Sequence, residues 1–246
     1  MSTTGNVFDL SLAFELGRQR AWYVPGMQAE FVQLGDWQGS VVSGSGVNFR
    51  TLSLNPHAQG SHTETLGHVC NGDFPVHAVP MPWLQDALLI SVTPEDQHAM
   101  GKVIRWQMVK NAVEHIGGWQ ACTALIIRTL PNSEQKKTQN YAHQDAAYFE
   151  SAVGSHLAAQ GIQHWLVDLP SVDREEDGGA LACHRTFWGL GPDETTPGPA
   201  ARVEATISEL LYIPQAVEDG RWQLNLQVAP LENDAAPCVP ILTRTT

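Results

Sequence analysis

The sequence predicts an α/β chain, rich in strands and flanked by a few helices, and three observations carry that expectation. The apolar runs at residues 87–92, 123–128 and 164–169 end in turn-forming residues, and they are short and continuously apolar, as strands covered on both faces are. Between the second and third runs, residues 145–160 have the composition of a helix, with Gly161 placed to stop it. Hydrophobic residues make up 43% of the 246 and charged residues only 16%, which supports a sizeable core. Strands with interposed helices imply a layered α/β or α+β structure. No repeat or low-complexity linker interrupts the chain, so residues 1–246 are read as one domain.

The other elements follow in order. Residues 47–55 (VNFRTLSLN) place Val47, Phe49 and Thr51 on one side before the pattern shifts to Leu52 and Leu54, which predicts strand. Residues 94–116 contain a helix on which Val103, Trp106, Met108 and Val113 are partly periodic. Residues 202–211 and 222–229 read as two further strands.

Composition excludes some functions. Against 26 acidic residues stand 14 Lys and Arg, a net charge of −12, and a nucleic-acid partner needs a basic footprint instead. Cys70, Cys122, Cys183 and Cys238 are far apart and form no CxxC pair, which suits a reducing compartment. The first 16 residues lack a basic region followed by an apolar stretch, and the apolar runs fall well short of the roughly 20 residues that cross a bilayer. The expectation is a cytoplasmic protein acting on a small molecule. Ten histidines are many for so acidic a chain.

The densest stretch is 55–68, NPHAQGSHTETLGH, which holds His57, His62, Glu64 and His68. On an extended backbone, residues two apart share a side, so His62 and Glu64 can hold one ion through an imidazole nitrogen and a carboxylate oxygen. His57 reaches them if the chain bends at Gly60. A single histidine beside a strand is usually a surface or hydrogen-bonded core residue; three with a carboxylate at this density point to metal or catalysis.

Two further pieces lie downstream. In residues 202–211, Val203, Ala205, Ile207 and Leu211 form an apolar face that also carries Glu209, while Glu204, Thr206 and Ser208 form a polar one. A buried carboxylate needs a partner: either an arginine, for which Arg185 and Arg202 are available, or a metal ion. In residues 180–188 (ALACHRTFW), His184 alone reads as structural and gains interest only in combination. Asp168, at the end of an apolar run, reads as a cap for the next turn. His77, His98, His115, His143, His156 and His164 lack ligand-like neighbours, and the tryptophans, Trp22 and Trp188 among them, are mostly core, with one or two available to wall an aromatic pocket. No GxSxG, P-loop or GxGxxG is present, which removes support from serine-hydrolase and nucleotide readings.

Taken together, these segments resemble the metal-dependent cyclase family, which includes bacterial kynurenine formamidases and isatin hydrolases. HAQGSHTETLGH is similar to that family's HxGTHxDxPxH signature. The resemblance continues through residues 166–173 (LVDLPSVD), His184–Arg185, residues 207–211 (ISELL) and residues 224–237 (LNLQVAPLENDAAP). It implies a swivelling β/β/α fold, assembled as a homodimer or dimer of dimers. It also implies metal ligands at His57, His62, Glu64, His184 and Glu209, one or two Zn²⁺ or Mn²⁺ ions, and a general acid/base at His68. Three positions depart from the pattern: Glu64 replaces aspartate, one extra residue separates His57 from His62, and Leu66–Gly67 replaces the proline segment.

The implied activity is metal-assisted hydrolysis of an amide-type C–N bond, in an N-formyl arylamine such as N-formylkynurenine or in a small cyclic amide or lactone. Two alternatives stand beside it. One is a catalytically degenerate member that only binds a small ligand. The other is an Fe(II) oxygenase using His62, Glu64 and His184 as a two-histidine-one-carboxylate triad.

Overall fold

An apolar strand gains most from burial when both its faces are covered, and the three short apolar runs become adjacent strands of one sheet for that reason. The computed structural model describes residues 7–119 and 121–244. Its main sheet contains Val7–Asp9 (β1), His62–Glu64 (β2), Gln85–Val92 (β3), Ala124–Thr129 (β4), His164–Val167 (β5), Thr206–Glu209 (β6), Gly220–Val228 (β7) and Ala235–Thr243 (β8). Strands β3, β4, β5 and β6 run parallel to one another in that order. β7 joins β3 antiparallel, β8 joins β7, and β2 pairs antiparallel with both β6 and β8. The sheet is thereby closed into a seven-stranded barrel, with β1 continuing along the edge of β8 beyond β2.

Alternate residues of the parallel strands serve two cores. Ala87, Leu89, Ala124, Ile126 and Leu166 pack with Leu224 and Leu242 in the barrel. Leu88, Ile90, Leu125, Ile127, Trp165 and Val167 face the helices. Among the described residues four helices flank the sheet: Pro56–Gln59 (α1), Trp106–His115 (α2), Ser151–Ala159 (α3) and Ala182–Trp188 (α4). From the last three come Val109, Val113, Val153, Leu157, Phe187 and Trp188. The architecture is the β-rich α/β class with flanking helices that the sequence predicts.

Three elements differ from expectation in extent. The helix expected at 145–160 begins only at Ser151, because Tyr148–Phe149 pairs as a short parallel strand with Lys102–Ile104 and buries Phe149 against Trp165. The strand expected at 47–55 is confined to Arg50–Ser53, which pairs with Gln28–Phe31 in a ribbon. All four residues are exposed, so no buried face fixes the pattern. The strand expected at 202–211 shrinks to β6, because Leu210 takes φ 54° and turns Leu211 into the barrel core, away from Ile207. The polar face of that strand is buried too: Thr206 bonds His164 and Ser208 bonds Thr63, both inside the protein. No helix among the described residues is long and apolar enough to cross a membrane.

Candidate metal centre

The cluster is assembled from five places in the chain. Pro56 opens the single turn of α1, proline suiting the first helical position, and that turn carries His57. The chain bends at Gly60 as expected, but without unusual dihedrals: its φ of −171° and ψ of −177° are extended backbone open to any residue. Glycine is required there for space, because a Cβ would overlap the Phe14 ring and sit 2.9 Å from the Leu12 carbonyl oxygen. The helical turn and the bend that follows it bring His57 back over β2.

On β2 the two-residue period operates as predicted. Thr63 turns one way and its hydroxyl lies 2.7 Å from that of Ser208, while His62 and Glu64 share the other side. In the register with β6, Glu209 stands opposite His62, and all three functional residues are buried. His184 arrives from α4. Its Nε2 lies 2.7 Å from Glu64 Oε1 and 3.5 Å from Glu209 Oε1. His57 Nδ1 is 2.9 Å from Glu64 Oε2. His68, on the short 3₁₀ turn Leu66–His68, stacks on His57 with ring centroids 4.3 Å apart. The structure thus brings together all six residues singled out in the sequence.

Electrostatics follow from that crowding. Burial opposes charge on Glu64, but His68, His184 and His57 outweigh it and hold the carboxyl well below its ordinary value. Burial likewise opposes charge on His184, yet Glu64, Asp173 and Glu209 raise it well above the usual imidazole value. For His57, burial is overcome by the carboxylates of Asp234 and Glu64, which push it up to about 10.

The donor set fits a cation. His62 donates from Nδ1 to the Gly60 carbonyl at 3.0 Å, so its Nε2 carries the lone pair, and that buried atom has no hydrogen-bond partner. Glu64 Oε2 is also buried without a directed hydrogen bond, although His57 Nδ1 is only 2.9 Å away. Close approach without hydrogen-bond direction is the relation between two ligands of one ion, and an orphaned buried acceptor is otherwise costly. Two groupings, His57–Glu64–His68 and His62–Glu64–Glu209, have ligand atoms within 4.8 Å of one another and share Glu64. The arginine alternative for Glu209 fails: Arg185 bonds the carbonyls of Ala180 and Glu194, and Arg202 those of Phe187 and Ile162. Glu209 instead accepts the Val172 N–H and faces His62 and His184.

Two carboxylates escaped the sequence reading. Asp173 Oδ2 lies 2.7 Å from His184 Nδ1, and the same side chain accepts the N–H groups of Cys183 and His184, fixing the start of α4. Asp234 Oδ2 lies 2.9 Å from His57 Nε2 and 3.5 Å from His68 Nδ1. Both sit in loops without periodicity, within the two stretches that carry the family resemblance. Asp168 has another task than the turn cap expected of it. It accepts the N–H and hydroxyl of Thr129 and the ammonium of Lys136, fastening the end of β4. Two tryptophans border the cluster: Trp22 donates to the His57 carbonyl, and Trp188 lies 5.5 Å from the His184 ring.

Comparison with known proteins agrees with this fold. Residues 8–174 match the Cyclase family model. No curated protein matches the sequence. Solved structures of the same fold include a predicted metal-dependent hydrolase from Bacillus stearothermophilus, with 16% identity and TM-score 0.62, covering 96% of this chain and 97% of that one. Isatin hydrolase A from Ralstonia solanacearum is 11% identical with TM-score 0.67, over 97% and 92% of the two chains. Isatin hydrolase A from Labrenzia aggregata, bound to benzyl benzoate, is 10% identical with TM-score 0.65, over 98% and 94%. The histidine-rich signature at 57–68 falls inside the matched residues, and with more than half of the sequence covered, the chain belongs to the cyclase family.

Proposed function

We propose that the protein is a metal-dependent hydrolase that cleaves an amide-type C–N bond in an N-formyl arylamine, such as N-formylkynurenine, or in a small cyclic amide or lactone. The observation that carries this reading is the pair of buried, unpartnered ligand atoms, His62 Nε2 and Glu64 Oε2, within a ring of three further imidazoles and Glu209. We assign His57, His62, Glu64, His184 and Glu209 to hold one or two Zn²⁺ or Mn²⁺ ions. A divalent cation held there supplies Lewis-acid polarisation of the scissile carbonyl and acidification of water.

The chain's own residues do the rest. His68 is the most exposed of the six, at 27% against 19% for His57, so it is the one best placed to meet a substrate. It takes a proton from the attacking water and returns it to the leaving nitrogen. Asp173 orients His184, and Glu209 closes the buried side of the cluster. The oxygenase alternative uses His62, Glu64 and His184 but gives no work to His57, His68 and Glu209, which the fold gathers at the same point. An isatin hydrolase of the same fold has been solved with the product analogue thioisatinate, and that favours cyclic amides in a first screen.

The test is a panel of small cyclic amides, lactones and N-formyl arylamines with added Zn²⁺ or Mn²⁺, followed by product detection. Product formation that is lost on chelation and restored by metal is the expected result. Ligand-induced stabilisation without product would identify the catalytically degenerate alternative instead. His68→Ala should lower kcat by roughly 10²–10⁴-fold while bound metal persists.

A further inference from the structure

We propose that residues 20–25 form a strap that holds the turn carrying His57, with Trp22 as the positioning residue for that ligand. The centre then has a part borne by the sheet and a part borne by the strap. The inference rests on the metal reading above for His57 as a ligand, and on hydrogen-bond geometry for the strap.

The donors differ in what holds them. His62 and Glu64 lie on β2, whose backbone pairs with β6 and β8, and Glu209 lies on β6 itself. Sheet register fixes where these side chains start. His57 instead lies on α1, a single turn of four residues whose start the Asn55 side chain does not cap. A helix this short leaves its carbonyls without partners of its own.

The strap takes up those carbonyls. The His57 carbonyl accepts the Trp22 indole N–H at 2.9 Å. The Ala58 carbonyl accepts the backbone N–H groups of Arg20 and Ala21, at 3.2 and 3.1 Å. The Gln59 carbonyl accepts Arg20 Nε–H at 3.1 Å, and the Gln59 amide donates in return to the Pro25 carbonyl at 2.6 Å. Three consecutive residues of the turn therefore meet three consecutive residues of the strap.

The strap is itself anchored and strained. Arg20 is buried, and its guanidinium also donates to the carbonyls of Lys137 and Ala13 and to the Glu15 carboxylate. Trp22 and Tyr23 follow with φ of 62° and 55°, the left-handed region that bulky side chains disfavour. Strain of this kind persists where the surroundings over-determine the backbone. Here the Trp22 indole is tied to the His57 carbonyl, and the Tyr23 ring packs 4.2 Å from that of His143. The strained pair begins at the residue that caps the ligand's own carbonyl.

The test is a double-mutant cycle in Zn²⁺ affinity, read by chelator competition. Trp22→Phe keeps a ring and removes the N–H, and Gln59→Met removes the tie to Pro25. Each is measured in the wild-type protein and in His57→Ala. Trp222→Phe is the control, since it removes an indole bond of the same kind, 3.0 Å to the Glu218 carbonyl, on β7, which pairs with β3 and β8. His57→Ala should still bind Zn²⁺ measurably through the sheet-borne donors and His184. Trp22→Phe should weaken Zn²⁺ binding roughly 10–100-fold with His57 present and less than about twofold without it, and Gln59→Met should show the same pattern. Trp222→Phe should lower the denaturation midpoint and leave Zn²⁺ affinity within about twofold of wild type. The proposal is overturned by losses of equal size with and without His57, by no loss in either variant, by an equal loss in Trp222→Phe, or by a His57→Ala protein that binds no Zn²⁺. A wild-type protein that binds no Zn²⁺ removes the metal reading and the strap's role with it. A cycle that holds while no compound of the panel is hydrolysed supports the strap and removes the hydrolase reading alone.

Discussion

Glu64 is the residue on which the cluster turns. It faces His57 and His184 at hydrogen-bonding distance and has His62 at 3.9 Å, and it belongs to both groupings of ligand atoms. Glu64→Ala should therefore abolish tight Zn²⁺ binding, measured by chelator competition. Asp173→Asn, acting through His184 and the start of α4, should cost roughly 10–100-fold. A separate residue sets an acid limit on stability. His164 is buried against the Thr206 hydroxyl, and burial, with a smaller contribution from Arg202, lowers it from 6.5 to about 4. Unfolded chain takes up the proton near pH 6.5 and folded chain only near pH 4. The stability this group confers is therefore complete above about 6.5 and is lost as pH falls through that window. The loss amounts to at most about 3 kcal/mol. Urea denaturation of wild type and His164→Asn should show their difference narrowing between pH 7 and 4; a constant difference would refute the assignment.

At the scale of elements, the crossing of α3 and α4 sets the position of His184. Gly154 lies where a Cβ would collide with the Cys183 carbonyl, the Thr186 hydroxyl and the Phe187 N–H, the last at 2.7 Å. Gly154→Ala should destabilise the fold by about 1–3 kcal/mol and weaken Zn²⁺ binding as α4 shifts; denaturant titration and chelator competition on the same sample measure both. Glycine inside a predicted helix is usually a cost, and nothing in a linear reading marks this one as the contact point of a second helix. The same limit explains what else was and was not legible. His62 and Glu64 were readable because a period of two suffices to put them on one side of a strand. Glu209 was readable as a misfit on an apolar face. Asp173 and Asp234 lie in aperiodic loops, where only three-dimensional closure reveals the imidazoles they meet. The helix start at Ser151 was obscured because Phe149 serves the core equally well from a strand.

At the scale of the whole molecule, the ribbon formed by Gln28–Phe31 and Arg50–Ser53 stands out. Along it and its adjoining turns, Leu34, Val41, Val42, Val47, Phe49 and Leu52 are exposed, Val42 at 97%. Exposed apolar side chains at this density mark interaction surfaces. We propose that a second copy of the chain covers them, in keeping with the homodimer or dimer of dimers that the family resemblance implies. Light scattering should give twice or four times the 26.9 kDa chain mass, and Val42→Asp with Phe49→Asp should at least halve it while the far-ultraviolet spectrum is retained.

The strand that bears His62 and Glu64 is also the stave that closes the barrel, paired with β6 on one side and β8 on the other. A cation gripped by β2, β6 and α4 would clasp that seam from outside, so occupancy and barrel closure become one linked equilibrium. At a free zinc concentration 100 times the Kd, the linkage adds about 2.7 kcal/mol to stability. Chelation should accordingly lower Tm, and it should speed amide hydrogen exchange along β2 and its partner stretch 235–237 before the parallel strands at the far side respond. The chemistry and the last turn of folding would then share one lock, and a cell short of the metal would hold a barrel left ajar.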